Sequence, residues 1–152
     1  MKQFETINDI LDFAINREQS AVDFYTHLSS RVENEEMKQT FLKFAKQEMG
    51  HKALLLKVKE EGLFDIVPKK ITDLKIADYI IPEETHIENL IYSDALILAM
   101  KREKSAYALY KKLSSVTEDI AYSKLFENLA SQELKHKNKF EAEYDDYLSR
   151  EN

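Results

Sequence analysis

The chain has 152 residues and a mass of 17.8 kDa, room for one domain and little more. Lys and Arg number 22 against 28 Asp and Glu, and the net charge of −6 argues against nucleic acid as a partner. The lack of cysteine excludes disulfides, thiolate metal sites and a thiol nucleophile, while only 2 Gly and 2 Pro argue against a turn-rich β protein. What remains, with 33% charged and 43% hydrophobic residues, reads as long amphipathic helices with a wet outer face. The opening residues Met1 to Glu5 carry no apolar run of the kind a signal peptide needs, and no stretch has the length and apolarity of a membrane span. The expectation is an all-α, cytoplasmic protein with no membrane partner.

Leu11, Ala14, Glu18, Ala21, Tyr25 and Leu28 recur at spacings of three and four and predict the first helix. A break at Arg31–Asn34 follows, where Asn34 suits an N-cap and Glu35 and Glu36 suit the positive end of a second helix. The stripe of that helix is Phe41, Phe44, Glu48, His51, Leu55 and Val58, with Gly62 placed to end it. Gly62, Pro68 and Pro82 then mark a connection too long for an ordinary helix–helix loop, so it reads as a crossover along a bundle. Asp73–Ile81 could add a short helix there. Thr85-x-x-Glu88 resembles a capping box for the third helix, whose stripe is Leu96, Ala99, Glu103, Ala106, Tyr110 and Leu113. Thr117, followed by Glu118 and Asp119, is expected to open the fourth, with Phe126, Leu129, Glu133, His136 and Phe140 on its inner face. The domain boundaries follow: a single domain over 1–152, with one hairpin at about 5–61, a crossover at about 62–86 and a second hairpin at about 87–148.

The two hairpins repeat one another. A shift of 85 positions lays Arg17, Glu18, Ser20, Ala21 and Tyr25 on Arg102, Glu103, Ser105, Ala106 and Tyr110. Without a gap it also lays Gln47, Glu48, His51 and Lys52 on Gln132, Glu133, His136 and Lys137. Two amphipathic hairpins alike by chance would not keep polar residues in register, so the sequence reads as a duplicated hairpin with pseudo-twofold symmetry.

Glu18, Glu48, Glu103 and Glu133 all fall on apolar stripes. An isolated ionised carboxylate in a core costs several kcal/mol, so each must be paired, protonated or bound to a metal. His51 and His136 follow Glu48 and Glu133 by one turn on the same helix faces. One Glu from each of two helices, and Glu-x-x-His from each of the other two, is the donor set of a di-metal carboxylate site. Two divalent cations would neutralise about four carboxylate charges, and oxygen plus imidazole donors favour iron or manganese, with zinc an adventitious substitute. Tyr25 and Tyr110 lie two turns beyond Glu18 and Glu103 and could hydrogen-bond ligand carboxylates. Gln47 and Gln132, about 100° around their helices from the ligands, read as solvated surface, and His27 and His86 as surface or helix-terminus residues. Gly50, inside a helix, could permit a close helix approach.

The pattern Glu18, Glu48-x-x-His51, Glu103 and Glu133-x-x-His136 resembles the ferritin-like di-iron superfamily. Within it the chain is most similar to the rubrerythrin branch, in its short form without a rubredoxin domain. Lys101-Arg102-Glu103-Lys104-Ser105-Ala106-Tyr107 and Leu74-Lys75-Ile76-Ala77-Asp78-Tyr79 share the look of that branch. The resemblance implies a ferritin-like four-helix bundle holding two iron ions. Glu18 and Glu103 would be ligands from the first helix of each hairpin, Glu48 and Glu133 would bridge, and His51 and His136 would each terminate one ion. It also implies a peroxidase active in oxidative stress, reducing hydrogen peroxide with electrons from an external donor such as rubredoxin, and a homodimer. The alternative is a ferroxidase or iron-binding module that reacts with dioxygen without peroxidase turnover. A metal-free structural bundle is the third reading, and the buried charge disfavours it. One departure stands out: rubrerythrins are known for a further Glu three residues after the third-helix ligand, and here that place is Ala106.

Overall fold

In the computed structural model, residues 6–62 and 91–151 are described. They form four helices: α1 (Ile7–Arg31), α2 (Glu35–Glu61), α3 (Tyr92–Val116) and α4 (Ile120–Glu151). Among the described residues there is no strand, and no helix is long and apolar enough to cross a membrane. The segment expected to form a helix at Asp73–Ile81, the string Thr85-x-x-Glu88 and His86 lie outside the described residues.

The helix ends follow local chemistry. Thr6 and Asp9 make a reciprocal capping box at the start of α1, each side chain accepting the other's backbone N–H at 3.1 Å. Asn34 caps α2 as its position predicts, its Oδ1 accepting from Met37 N at 3.0 Å, and Gly62 closes that helix at φ 64. Helix α3 opens at Tyr92 after Ile91, which makes no side-chain cap bond. At the α3–α4 turn the expectation needs correction. Thr117 ends α3, its hydroxyl donating to Leu113 O, and Asp119 is the residue that caps α4 by accepting from Tyr122 N at 3.1 Å. Thr117 is committed to the end of α3 through its bond to Leu113 O, which leaves Asp119, next to Ile120, to cap the free N–H groups of α4.

Every stripe residue read from the sequence is buried. The helices of each hairpin pack side by side, and α1 meets α3 across the molecule. Arg17 Nη1 donates to Ser105 Oγ at 2.9 Å, and Arg102 Nη1 donates to Ser20 Oγ at 3.1 Å, the same contact made twice by the repeat. Two apolar clusters fill the interior. One joins the start of α1 and the end of α2 to the second half of α3 and the first half of α4, around Leu11, Leu55, Leu113 and Phe126. The other joins the remaining ends around Phe24, Phe41, Leu96 and Phe140. Burying each such Phe contributes about 1.5–3 kcal/mol. This membership fixes the topology: α1 and α4 run one way, α2 and α3 the other. The end of α2 and the start of α3 therefore lie at opposite ends of the bundle. Glu18, Glu48, Glu103 and Glu133 occupy the layer between the two clusters.

The two glycines differ, and their substitution separates backbone strain from helix propensity. A Cβ at either would meet nothing within 4 Å, so Gly50 permits no close helix approach. Gly62 alone holds a left-handed backbone. Gly50→Ala should raise stability by about 1 kcal/mol through helix propensity. Gly62→Ala should lower it by about 1–2 kcal/mol. Chemical denaturation of both variants checks the opposite signs.

Candidate metal centre

Six titratable side chains converge at mid-bundle: Glu18 from α1, Glu48 and His51 from α2, Glu103 from α3, and Glu133 and His136 from α4. None is more than 3% exposed. His51 Nδ1 lies 3.0 Å from Glu133 Oε1, 3.4 Å from Glu48 Oε1 and 3.6 Å from Glu18 Oε2. His136 Nδ1 lies 3.2 Å from Glu48 Oε1 and 3.6 Å from Glu103 Oε1. The donors fall into two groups whose atoms all lie within 4.8 Å of one another, Glu18–Glu48–His51–Glu133 and Glu48–Glu103–Glu133–His136. Glu48 and Glu133 belong to both, as carboxylates shared between two ions would.

Each of the six offers one buried atom with no hydrogen-bond partner: Glu18 Oε2, Glu48 Oε1, His51 Nδ1, Glu103 Oε2, Glu133 Oε1 and His136 Nδ1. Buried polar atoms are almost always satisfied, and six unpartnered ones on residues that cluster in two overlapping groups call for a partner. Two divalent cations supply it, so the donor set fits a di-metal site of the di-iron carboxylate kind.

The surroundings hold the opposite faces of these side chains. The Tyr25 hydroxyl donates to Glu103 Oε1 and the Tyr110 hydroxyl to Glu18 Oε1. The bonds cross between α1 and α3, so each tyrosine serves the carboxylate of the other hairpin rather than the one two turns before it. Burial first, and then the neighbouring carboxylates, push both phenols well above their ordinary pKa, which keeps them O–H donors. With Oε1 engaged, Oε2 of each carboxylate is the oxygen left without a hydrogen-bond partner.

Gln47 and Gln132 require a correction, since neither is simply solvated. Gln47 Oε1 lies 2.5 Å from His136 Nε2, and Gln132 Oε1 lies 2.8 Å from His51 Nε2. An angle measured on one helix misses this, because α2 and α4 run antiparallel and each Gln faces the partner helix's histidine. Their repetition in register was the signal in the sequence. Phe44 stacks on His136 with ring centroids 3.8 Å apart. His27 is half-buried near the end of α1, with Nε2 out of solvent. Ala106 is buried in the apolar cluster beside the site and has no donor atom. A cleft of about 770 Å³ lined by residues such as Arg31, Tyr92, Tyr147 and Arg150 includes none of the six.

With no cation present, the carboxylates disturb each other's protons. Burial, followed by the charges of other glutamates, pushes Glu48 and Glu133 well above the usual carboxylate range. Burial also works against ionised Glu18, but His51, Glu48 and the Tyr110 hydroxyl outweigh it and hold that carboxyl below its usual value. For His51, burial opposes the charge, yet Glu133 and Glu18 push the imidazole up to about 11.

A sequence model of the family described as Rubrerythrin matches residues 9–144. Two solved structures resemble the bundle along its length. One is a candidate ferritin-like diiron-carboxylate protein from Thermotoga maritima, 25% identical, with a TM-score of 0.78 over 95% of this chain and 98% of that one. The other is a hypothetical protein from Pyrococcus furiosus, 25% identical, with a TM-score of 0.72 over 98% of each chain. No curated protein matches the chain.

The shifted groups set a pH dependence for the metal-free chain. Glu48 and Glu133, raised in the folded state, stabilise it fully below the ordinary carboxylate pKa and lose that contribution as pH rises through their folded values. His51 acts in the same sense, its contribution present below about 6.5 and lost as pH rises through about 11. The lowered Glu18 acts oppositely, but only in acid. The thermal midpoint of chelator-treated protein should therefore fall between about pH 6 and 9. A midpoint that is flat or rising over that range contradicts this electrostatic picture.

Proposed function

The chain belongs to the rubrerythrin family, and on that premise we propose that it is a di-iron oxidoreductase that reduces hydrogen peroxide to water with electrons from a separate donor protein. The observation that carries the reading is the set of six buried, inward-facing donor atoms without partners. In this reading Glu18 and His51 hold one ion, Glu103 and His136 hold the other, and Glu48 and Glu133 are shared. Manganese and zinc suit the same oxygen and imidazole donors and would compete for them.

When bound, the two ferrous ions supply the two electrons that split the O–O bond of a peroxide. Reducing one peroxide to two waters also consumes two protons. The chain's own part is to hold the donors and limit water. Tyr25 and Tyr110 keep their protons and pin Oε1 of Glu103 and of Glu18. The apolar clusters on either side close the centre to bulk solvent along the bundle axis. Ala106 offers no carboxylate, so the same six residues serve both oxidation states. A cytoplasmic setting, beside a reducing donor such as a rubredoxin, belongs to the same proposal.

Stopped-flow oxidation of the anaerobically loaded ferrous protein tests the reaction. Peroxide should oxidise the centre at least about tenfold faster than dioxygen, a barrier difference of about 1.4 kcal/mol. Faster oxidation by dioxygen would select iron oxidation as the function instead. Glu48→Ala and Glu133→Ala each remove a shared ligand and should no longer retain two ions, as counted by metal analysis. Two tightly held ions in either variant would overturn the sharing.

A further inference from the structure

The two histidines are each held from outside by a glutamine of the other hairpin. Gln47 on α2 reaches His136 on α4 at 2.5 Å, and Gln132 on α4 reaches His51 on α2 at 2.8 Å. In both cases the glutamine atom is the carbonyl oxygen, which can only accept, so the facing Nε2 must carry the proton. A neutral imidazole has one N–H, and placing it on Nε2 leaves the lone pair on Nδ1. In both histidines Nδ1 is the nitrogen turned toward the carboxylates, buried and without a hydrogen-bond partner.

Resting on the metal-site reading above, we infer that Gln47 and Gln132 are positioning residues: each keeps a proton on the outer nitrogen of the opposite hairpin's histidine, so that Nδ1 is the nitrogen offered to a metal ion. The alternative tautomer would aim an N–H into the centre, where it would block coordination and leave the glutamine oxygen facing a bare nitrogen. Each contact also ties α2 to α4 at the level of the site.

The repeat is not perfect here, and the imperfection makes the inference specific. His136 has a second restraint in the ring of Phe44, stacked at 3.8 Å. The residue that the 85-position shift lays on Phe44 is Leu129, which has no ring to stack. His51 therefore depends more on its glutamine than His136 does. Loss of Gln132 should cost more than loss of Gln47.

Zinc, which is diamagnetic and suits these donors, is the probe, with the full chain labelled with ¹⁵N in its histidines. In the wild-type protein loaded with two zinc ions, both imidazoles should show metal on Nδ1 and a slowly exchanging proton on Nε2. Gln132→Met removes the acceptor at similar size and should weaken zinc binding about tenfold, the low end for a lost outer partner of a metal ligand. It should also speed exchange of the His51 Nε2 proton. Gln47→Met should do the same to His136 more weakly, and Gln132→Glu, which keeps an acceptor, should restore slow exchange. Zinc on Nε2 in the wild-type protein would overturn the inference, as would Met variants with unchanged affinity and exchange. Uptake of fewer than two zinc ions by the wild-type chain would instead overturn the metal-site reading, and this inference with it. The bound nitrogen is read in the wild-type protein, so a variant that fails to fold does not remove the decisive measurement.

Discussion

Four carboxylates share one layer of a helical core, and the rest of the structure is arranged around that charge. Glu18, Glu48, Glu103 and Glu133 are each at most 2% exposed. Unpaired, buried charges of this kind cost several kcal/mol apiece. Without a cation, burial and mutual repulsion push up the pKa of Glu48 and Glu133, and Glu133 and Glu18 push up that of His51. Six donor atoms of the layer make no hydrogen bond. Two divalent ions would satisfy all six and remove the mutual repulsion, which is why the charge layer and the metal reading are one argument.

Duplication explains how so costly a layer is held in place. Each hairpin supplies one carboxylate from its first helix and one Glu–His pair from its second. The outer contacts cross between hairpins: Tyr25 to Glu103, Tyr110 to Glu18, Gln47 to His136 and Gln132 to His51. Neither hairpin can satisfy its own polar groups alone, so the centre couples the two halves. The apolar clusters at either end give the packing energy that offsets the polar layer, with Phe41 and Phe140 on one side and Phe126 on the other.

The helical stripes were legible because a buried face repeats every three or four residues, and all four proved to be buried. Glu18, Glu48, His51, Glu103, Glu133 and His136 stood out for the same reason, as polar residues where the period demands apolar ones. Residues whose partners lie on another helix were harder to read. Gln47 and Gln132 sit to one side of their own stripe, and only the antiparallel register of α2 and α4 reveals what they face. Tyr25 and Tyr110 were visible as candidates, but the crossing of their bonds between hairpins was not. The cap of α4 was misplaced by two residues because Thr117, Glu118 and Asp119 all suit a helix start, and only backbone geometry chooses Asp119.

The measurement that bears most directly on this account is a thermal melt of the chain with and without ferrous iron, under anaerobic conditions near neutral pH, with the iron content of the loaded protein counted. Binding that favours the folded state stabilises it by about 4 kcal/mol per site at a thousandfold excess over the dissociation constant. The account predicts two irons per chain and a midpoint several degrees or more above that of the metal-free protein. A chain that retains no iron and melts at the same temperature in both conditions would contradict it.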